Sequence, residues 1–121
     1  MTKLLQNIID GYNNGLLERD NLQIRNEIFQ NETICEEYLE GSTFRDLSLI
    51  NVNFTKVNFD SSHFYDCLFK DCIFESTIFA AANFENSRLT NCRLRNSNLT
   101  KVEFIENFLV LILNLMYNLI L

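Results

Sequence analysis

A five-residue hydrophobic period runs through the middle of the chain, where every fifth residue from position 44 is Phe or Leu. A period of five matches neither the 3.6-residue period of an amphipathic helix nor the two-residue alternation of a flat strand. The positions that carry it are Phe44, Leu49, Phe54, Phe59, Phe64, Phe69, Phe74, Phe79, Phe84, Leu89, Leu94, Leu99 and Phe104.

A second set of positions keeps the same phase, two residues before each Phe or Leu. None of these residues is charged, and all but Leu47 are small or β-branched. Because residues two apart in an extended chain face the same side, we expect both members of each pair to point inward. The next two residues, often Asn, Asp or Ser, are suited to turning a corner. Each unit therefore predicts one side of a coil, and successive coils must stack to bury their aromatic side chains.

The repeats at residues 82–86 (Ala-Asn-Phe-Glu-Asn) and 97–101 (Ser-Asn-Leu-Thr-Lys) resemble the A(D/N)LXX consensus of pentapeptide repeat proteins. The resemblance covers residues 42–106. It implies an all-β solenoid, a right-handed quadrilateral β-helix of about three to four coils with about 20 residues in each coil.

Residues 20 apart should then lie above one another in four columns. These are Phe44, Phe64, Phe84 and Phe104; Leu49, Phe69 and Leu89; Phe54, Phe74 and Leu94; and Phe59, Phe79 and Leu99.

The N-terminal residues 1–23 predict an α-helical cap on the open end of the coil. One helical stripe carries the apolar residues, and the sequence Asn13-Asn14-Gly15 indicates where the helix stops. The stripe consists of Leu4, Leu5, Ile8, Ile9 and Tyr12.

Residues 24–41 continue the five-residue phase with Ile24, Phe29, Ile34 and Leu39, but the inward position before three of them is Glu. An unpaired charge cannot sit in a dry interior. We therefore expect a degenerate first coil here, partly uncoiled. The three acidic residues are Glu27, Glu32 and Glu37.

The C-terminal residues 107–121 would form a helix that is apolar on nearly every side. The polar exceptions are Asn107, Asn114 and Asn118. The segment predicts a short apolar helix, which is shorter than the about 20 residues that a spanning helix needs. We favour a homodimer through this segment, with an intramolecular cap and a membrane-associated tail as the alternatives; flanking Lys and Arg, which favour a membrane surface, are missing. The candidate dimer or cap residues are Phe108, Leu109, Leu111, Ile112, Leu115, Met116 and Leu119.

Catalytic, metal and cofactor chemistry finds no support in the sequence. Cys67, Cys72 and Cys92 occupy inward positions, where we expect them to act as small apolar residues, and Cys72 and Cys92 should be stacked neighbours. His63 is the only His and lies at an outward position, without clustered ligands. A filled coil also leaves no cavity for a small-molecule substrate. We therefore predict that the protein is not an enzyme and needs no cofactor.

The N-terminal residues and the cysteines indicate the cellular compartment. The first residues show no secretory signal, and four Cys in such a chain are expected to be reduced. The prediction is a cytoplasmic protein.

Charge limits the choice of partner. The formal net charge is −6, which argues against direct binding of nucleic acid. The resemblance implies another route, since some pentapeptide repeat proteins imitate DNA, bind type II topoisomerases such as gyrase and protect them from quinolones. That mechanism needs a negatively charged rod, whereas residues 1–41 carry a net charge of −5 and residues 42–106 only −1. Gyrase binding therefore stays the alternative.

The outward middle position carries apolar residues on three consecutive sides of one coil, Leu68, Ile73 and Ile78, with Tyr65 just before them. They predict a protein-binding site or a surface that a terminal segment covers. The function that the sequence favours is a non-enzymatic interaction scaffold. The partner's identity stays open, and so does the possibility that the chain is a truncated form of a longer protein.

Overall fold

The computed structural model describes residues 3–15, 21–105 and 108–111; for residues 104, 105 and 108–111 it describes the backbone alone. One helix, α1 (Leu4–Asn14), precedes a series of short strands. The strands are β1 (Gln23–Arg25), β2 (Ile28–Gln30), β3 (Thr33–Cys35), β4 (Thr43–Arg45), β5 (Ser48–Ile50), β6 (Asn53–Thr55), β7 (His63–Tyr65), β8 (Leu68–Lys70), β9 (Ile73–Glu75), β10 (Asn83–Glu85), β11 (Arg88–Arg95), β12 (Glu103–Ile105) and β13 (Phe108–Leu111).

The strands pair in parallel with those one coil further along the chain, so that the same four ladders return in every coil. Ladder A contains β1, β4, β7, β10 and β12, and ladder B contains β2, β5, β8, β11 and β13. Ladder C contains β3, β6, β9 and the second half of β11. Ladder D is a row of isolated bridges through Tyr38, Asn58, Ile78 and Asn98. The predicted all-β solenoid is confirmed, with about four turns. We number its coils first (residues 23–42), second (43–62), third (63–82) and fourth (83–102).

The inward side chains stack as the five-residue period predicts. The rings of Phe64 and Phe84 lie 4.6 Å apart at an interplanar angle of 10°. The rings of Phe54 and Phe74 lie 5.3 Å apart at 3°. Neighbouring columns meet edge to face, as between Phe74 and Phe79 at 5.2 Å. Both arrangements are favourable for aromatic quadrupoles, so the rings fill the axis of the coil in a geometry that stabilises it.

The corners are formed by a residue with positive φ, always the second residue after the inward Phe, Leu or Ile. Sixteen described residues have this conformation, with φ between 49° and 67°, and nine of the sixteen are Asn or Asp. Those side chains tolerate the left-handed region better than other non-Gly residues do. Some of these side chains also bond to the corner residue of the neighbouring coil, with Asn51 Nδ2 donating to Asn31 Oδ1 at 2.8 Å as an example.

The small inward residues donate hydrogen bonds to backbone carbonyl groups of the neighbouring coil. The Ser87 hydroxyl lies 3.2 Å from the carbonyl oxygen of Phe64 in the coil below. Thr77 Oγ1 makes the equivalent contact to Phe54 at 3.3 Å, and Cys92 Sγ to Phe69 at 3.4 Å. Ser, Thr and Cys therefore share one role, because each is small enough for the interior and can donate one hydrogen bond.

The first coil is regular, and the expected partial uncoiling does not occur. Its strands pair in register with those of the second coil, and Phe29 and Ile34 are fully buried. Glu32 is only 6% exposed, and its two carboxylate oxygens accept the backbone N–H groups of Leu5 at 3.0 Å and Gln6 at 3.1 Å. The buried charge is tolerated because it caps the N-terminus of α1.

The helix α1 covers the open end of the first coil, as predicted. Leu5 and Ile9 are buried against the core, Ile8 and Tyr12 pack partly against it, and Leu4 is 38% exposed. No side chain at the helix's own N-cap, Lys3, makes a capping bond. The Glu32 carboxylate replaces it. The Glu37 carboxylate holds the helix further by accepting from the side chains of Gln6 and Asn13.

The C-terminal helix prediction is wrong for residues 108–111, which form strand β13. This strand continues ladder B, with Phe108 opposite Arg88 and Leu109 opposite Leu89. Leu109 follows Phe104 by five residues, so the repeat phase persists and the free edge of β11 supplies the hydrogen-bond partners. Residues 112–121, with Ile112, Leu115, Met116 and Leu119, lie outside the described residues, and their helix stays a prediction.

Replacing Glu32 by Ala should destabilise the protein by about 2–3 kcal/mol, because two buried N–H groups lose a charged acceptor. The measurement is urea unfolding followed by circular dichroism. The control is Glu36→Ala, which removes an exposed ion pair with Lys56 at 3.9 Å and should cost less than about 1 kcal/mol. Equal losses in the two variants would contradict the capping role.

Replacing Ala81 by Gly should stabilise the protein by about 0.5–1 kcal/mol, because Ala81 has a φ of 57° that Gly adopts without strain. The neighbouring change Ala80→Gly should instead destabilise it by a similar amount, since Ala80 is not among the residues with positive φ. Urea midpoints that move in the same direction for both variants would contradict this account of the corner.

Candidate interaction surfaces

The four predicted partner-binding residues ring the third coil, one on each ladder. Tyr65 lies on ladder A, Leu68 on ladder B, Ile73 on ladder C and Ile78 on ladder D. The structure therefore distributes them around the coil and does not bring them together on one side. Ile78 is 37% exposed and the other three are half-buried.

Polar residues border each of these apolar side chains along the axis. Ile73 stands between Asn53 and Arg93 on ladder C. Ile78 stands between Asn58 and Asn98 on ladder D. A partner that contacts the belt formed by Tyr65, Leu68, Ile73 and Ile78 must therefore also meet polar groups above and below it.

Tyr65 belongs to a small polar cluster on ladder A. The guanidinium carbon of Arg45 lies 4.2 Å from the centre of its ring, within cation–π distance. Its hydroxyl lies 3.3 Å from Nδ1 of His63, and the two rings are nearly parallel. His63 is half-buried at the outward position that the period predicts.

Two of the most exposed large apolar residues lie in the first coil, outside the predicted belt. Tyr38 is 76% exposed on ladder D and Ile28 is 60% exposed on ladder B. Sequence reasoning missed them because the first coil was expected to be irregular. Both occupy the middle outward position of their unit, so examining the outward as well as the inward positions of the first coil would have found them.

The coils differ strongly in charge. The first coil holds five Glu and one Arg, a net charge of −4. The fourth holds three Arg, one Lys and one Glu, a net charge of +3. The two central coils together carry −2. Apart from the buried Glu32, opposite charges therefore face solvent in the first and fourth coils, which lie about 14 Å apart along the axis at one strand spacing per coil.

The cysteine thiols are free, with Cys35 exposed and the other three buried. Burial raises the pKa of Cys67 to about 12. The hydrogen bond with Cys92, together with burial, raises the pKa of Cys72 well above its usual range. A protonated, buried thiol is neither a good nucleophile nor a metal ligand.

Space for a small ligand is limited. The interior gap beneath α1 measures about 10 Å³, close to the size that one water needs. A shallow open groove of about 440 Å³ follows the corner between ladders A and B and is lined by Asp46, Leu47, Ser48, Asp66, Cys67, Leu68, Asn86 and Arg88. Within the described ranges, no three His, Cys, Asp or Glu side chains cluster as metal ligands would.

In the part of the chain that the structure describes, no helix is long and apolar enough to cross a bilayer.

Comparisons with known proteins agree with the geometry. A family model described as the pentapeptide repeat region matches residues 42–109. No curated protein sequence matches the chain.

Solved structures supply a likeness of fold. A trypsin-treated variant of QnrB1, a plasmid-mediated fluoroquinolone resistance protein, is similar with a TM-score of 0.58 and 16% identity. That match covers 69% of this chain and 46% of the QnrB1 chain. A second trypsin-treated QnrB1 variant gives a TM-score of 0.36 and 16% identity, over 74% of this chain and 53% of that one. The chain thus spans about half the length of these structures.

Reaction with a thiol reagent such as DTNB near neutral pH should modify one thiol per native chain, that of Cys35. Burial and the raised pKa keep Cys67 and Cys72 protonated at that pH. The hydrogen bond with Cys72 lowers the pKa of Cys92, but its complete burial shields it from the reagent. All four thiols should react after denaturation. The variant Cys35→Ser should lower the native count to zero. Rapid modification of that variant would contradict the assignment of the buried thiols.

Proposed function

The chain belongs to the pentapeptide repeat family, and from this premise we propose that it is a non-enzymatic protein–protein interaction scaffold whose partner remains to be identified. The observation that carries the proposal is the filled interior, where stacked rings such as Phe64 and Phe84 occupy the axis. Enzymes need a concave pocket with convergent polar groups. Here the varied residues lie on the outer faces, where a partner can reach them.

The finer geometry is part of the same proposal. Four ladders that recur every 20 residues support a quadrilateral cross-section, and the strong preference of parallel strand connections supports a right-handed coil. We also propose the division of the chain into a cap (residues 1–23), a first coil with degenerate inward positions (24–41), the repeat body (42–106) and a C-terminal segment (107–121).

The belt around the third coil is the proposed partner site. Support comes from Ile78, an exposed apolar side chain, and from the half-buried Leu68 and Ile73 on the two ladders before it. Scattered surface apolar residues are common, so the proposal needs a direct test.

The test compares Ile73→Arg and Ile78→Arg with Ser61→Arg, an exposed corner residue of the second coil. Chemical cross-linking in cell extract, followed by mass spectrometry, measures which proteins bind. The belt variants should lose a specific partner that the control keeps, while circular dichroism shows that all three fold. A partner retained by both belt variants would place the contact elsewhere.

A homodimer through the C-terminal segment is proposed on the apolar sequence of residues 107–121. Light scattering on the full chain should give twice the monomer mass. Lys at both Leu115 and Leu119 should return the mass to that of a monomer. Asn114→Lys should leave it unchanged, because Asn107, Asn114 and Asn118 would share one polar stripe of the predicted helix. A monomeric wild-type chain would end this proposal.

The alternative function is a DNA-mimicking protein that binds gyrase, of the quinolone-resistance type. One observation favours it: the fold likeness to QnrB1 at a TM-score of 0.58. The net charge of +3 on the fourth coil weighs against it, because a DNA mimic needs negative charge along its length. A gyrase supercoiling assay decides: inhibition at micromolar protein favours the alternative, and no inhibition removes it.

A cytoplasmic location is proposed as well. It is supported by the four free thiols, of which three take the hydrogen-bonding role of Ser and Thr inside the wall. Thiols of this kind persist in a reducing compartment.

A further inference from the structure

The outer face of ladder C carries an ordered arrangement of charge. Its fourth-coil strand presents Arg93 and Arg95, which are two residues apart and therefore point to the same side. Its third-coil strand presents Glu75, and the corners that follow β3 and β6 carry Glu36 and Lys56. This face thus carries two positive charges in the fourth coil, one negative charge in the third, one positive charge in the second and one negative charge, that of Glu36, in the first.

Only part of this charge is compensated within the chain. Among the described residues the ion pair on this side joins Lys56 to Glu36 at 3.9 Å, and both side chains are largely exposed. Arg95 pairs in backbone register with Glu75, yet their side chains form no ion pair within 4 Å. Arg93 and Arg95 therefore remain available for an external carboxylate.

We infer that a second copy of this chain docks antiparallel on the outer face of ladder C, so that the fourth coil of each copy faces the first coil of the other. The twofold axis runs along the strands, between the second and third coils. This interface is separate from the proposed C-terminal one, but it includes Ile73 of the proposed belt, which lies on ladder C.

The antiparallel arrangement matches opposite charges at both ends. A twofold axis along the strand direction keeps each column opposite itself and reverses the order of the coils. Arg95 of one copy then lies opposite Cys35 and beside Glu36 of the other, with Glu40 at the next side of the same coil. Glu75 lies opposite Thr55 and beside Lys56. Because the contact is isologous, each ion pair occurs twice.

A parallel arrangement of two copies matches the charges poorly. It would place the arginines of both fourth coils together and the carboxylates of both first coils together. Like charges in juxtaposition are costly, so the charge pattern selects the antiparallel docking.

The face is small, which sets the strength of the contact. Three outward columns and four rungs span about 10 Å by about 19 Å. Such an area lies below the about 1,200 Å² that stable complexes bury. We therefore expect a weak association that depends on salt, because its charged contacts are exposed.

The first measurement is sedimentation of the full chain at about 0.01 M and about 1 M salt, between which the Debye length falls from about 30 Å to about 3 Å. The inference expects a salt-sensitive step that lowers the average mass at high salt. Association that persists at high salt belongs to the C-terminal segment. If no salt-sensitive step is found, the lateral contact is refuted whatever the C-terminal segment does.

The second measurement uses charge reversal. The double variant Arg93→Glu and Arg95→Glu, and the double variant Glu36→Lys and Glu40→Lys, should each lose the salt-sensitive step. An equimolar mixture of the two should regain it, because each copy then faces opposite charge at both ends. The control is Arg88→Glu with Lys101→Glu, which makes the same change in net charge on the same coil but away from ladder C, and it should keep the step.

Failure of the mixture to associate would overturn the inference, as would loss of the step in the control. A polyglutamate peptide is the remaining probe. If it binds Arg93 and Arg95 at low salt while the chain stays monomeric, the occupant of this face is an acidic segment of another protein and not a second copy. Circular dichroism of every variant shows whether its fold is retained.

Discussion

The whole structure depends on the stacking of inward rings from one coil onto the next. A single five-residue side is too short to cover a Phe, so the ring is buried only when coils lie in register 20 residues apart. The stacked pair Phe54 and Phe74 shows that register at 5.3 Å. This register is kept by three features: the parallel ladders, the corners with positive φ and the small inward residues. The stability of this protein is therefore shared between neighbouring coils, and none of it belongs to one coil alone.

A stack of this kind must also end, and the N-terminal end shows how. Glu32 occupies a position that holds Val52, Cys72 and Cys92 in later coils. In the first coil that position faces α1, where unpaired backbone N–H groups need an acceptor. The carboxylate accepts hydrogen bonds from N–H groups that would otherwise lack an acceptor. Those N–H groups in turn give the buried carboxylate its donors. An acidic residue at an inward position thus marks the coil as the first one.

The repeat body could be predicted from sequence because one period determined both the inward residues and their neighbours in space. The regularity of the first coil could not be predicted, because the partner of Glu32 lies 27 residues away in α1 and no local sequence pattern indicates that contact. The C-terminal helix prediction was wrong at β13 because an apolar run fits a helix as well as a strand, and the free edge of β11 decided between them. The belt residues lie on four successive ladders, but their role as a partner site stays a prediction. The exposed Tyr38 and Ile28 were missed because their coil was expected to be irregular.

The positive φ at every corner has a consequence for how such a chain can change length. Each side consumes five residues and ends on one left-handed residue, such as Asn86 or Asn91. Losing or gaining one residue inside the body would move every later side out of step and turn an outward Asp or Arg toward the rings. Gain or loss of 20 residues would instead add or remove one coil and leave the four ladders aligned. Genes for such proteins should therefore vary in length mainly by whole coils.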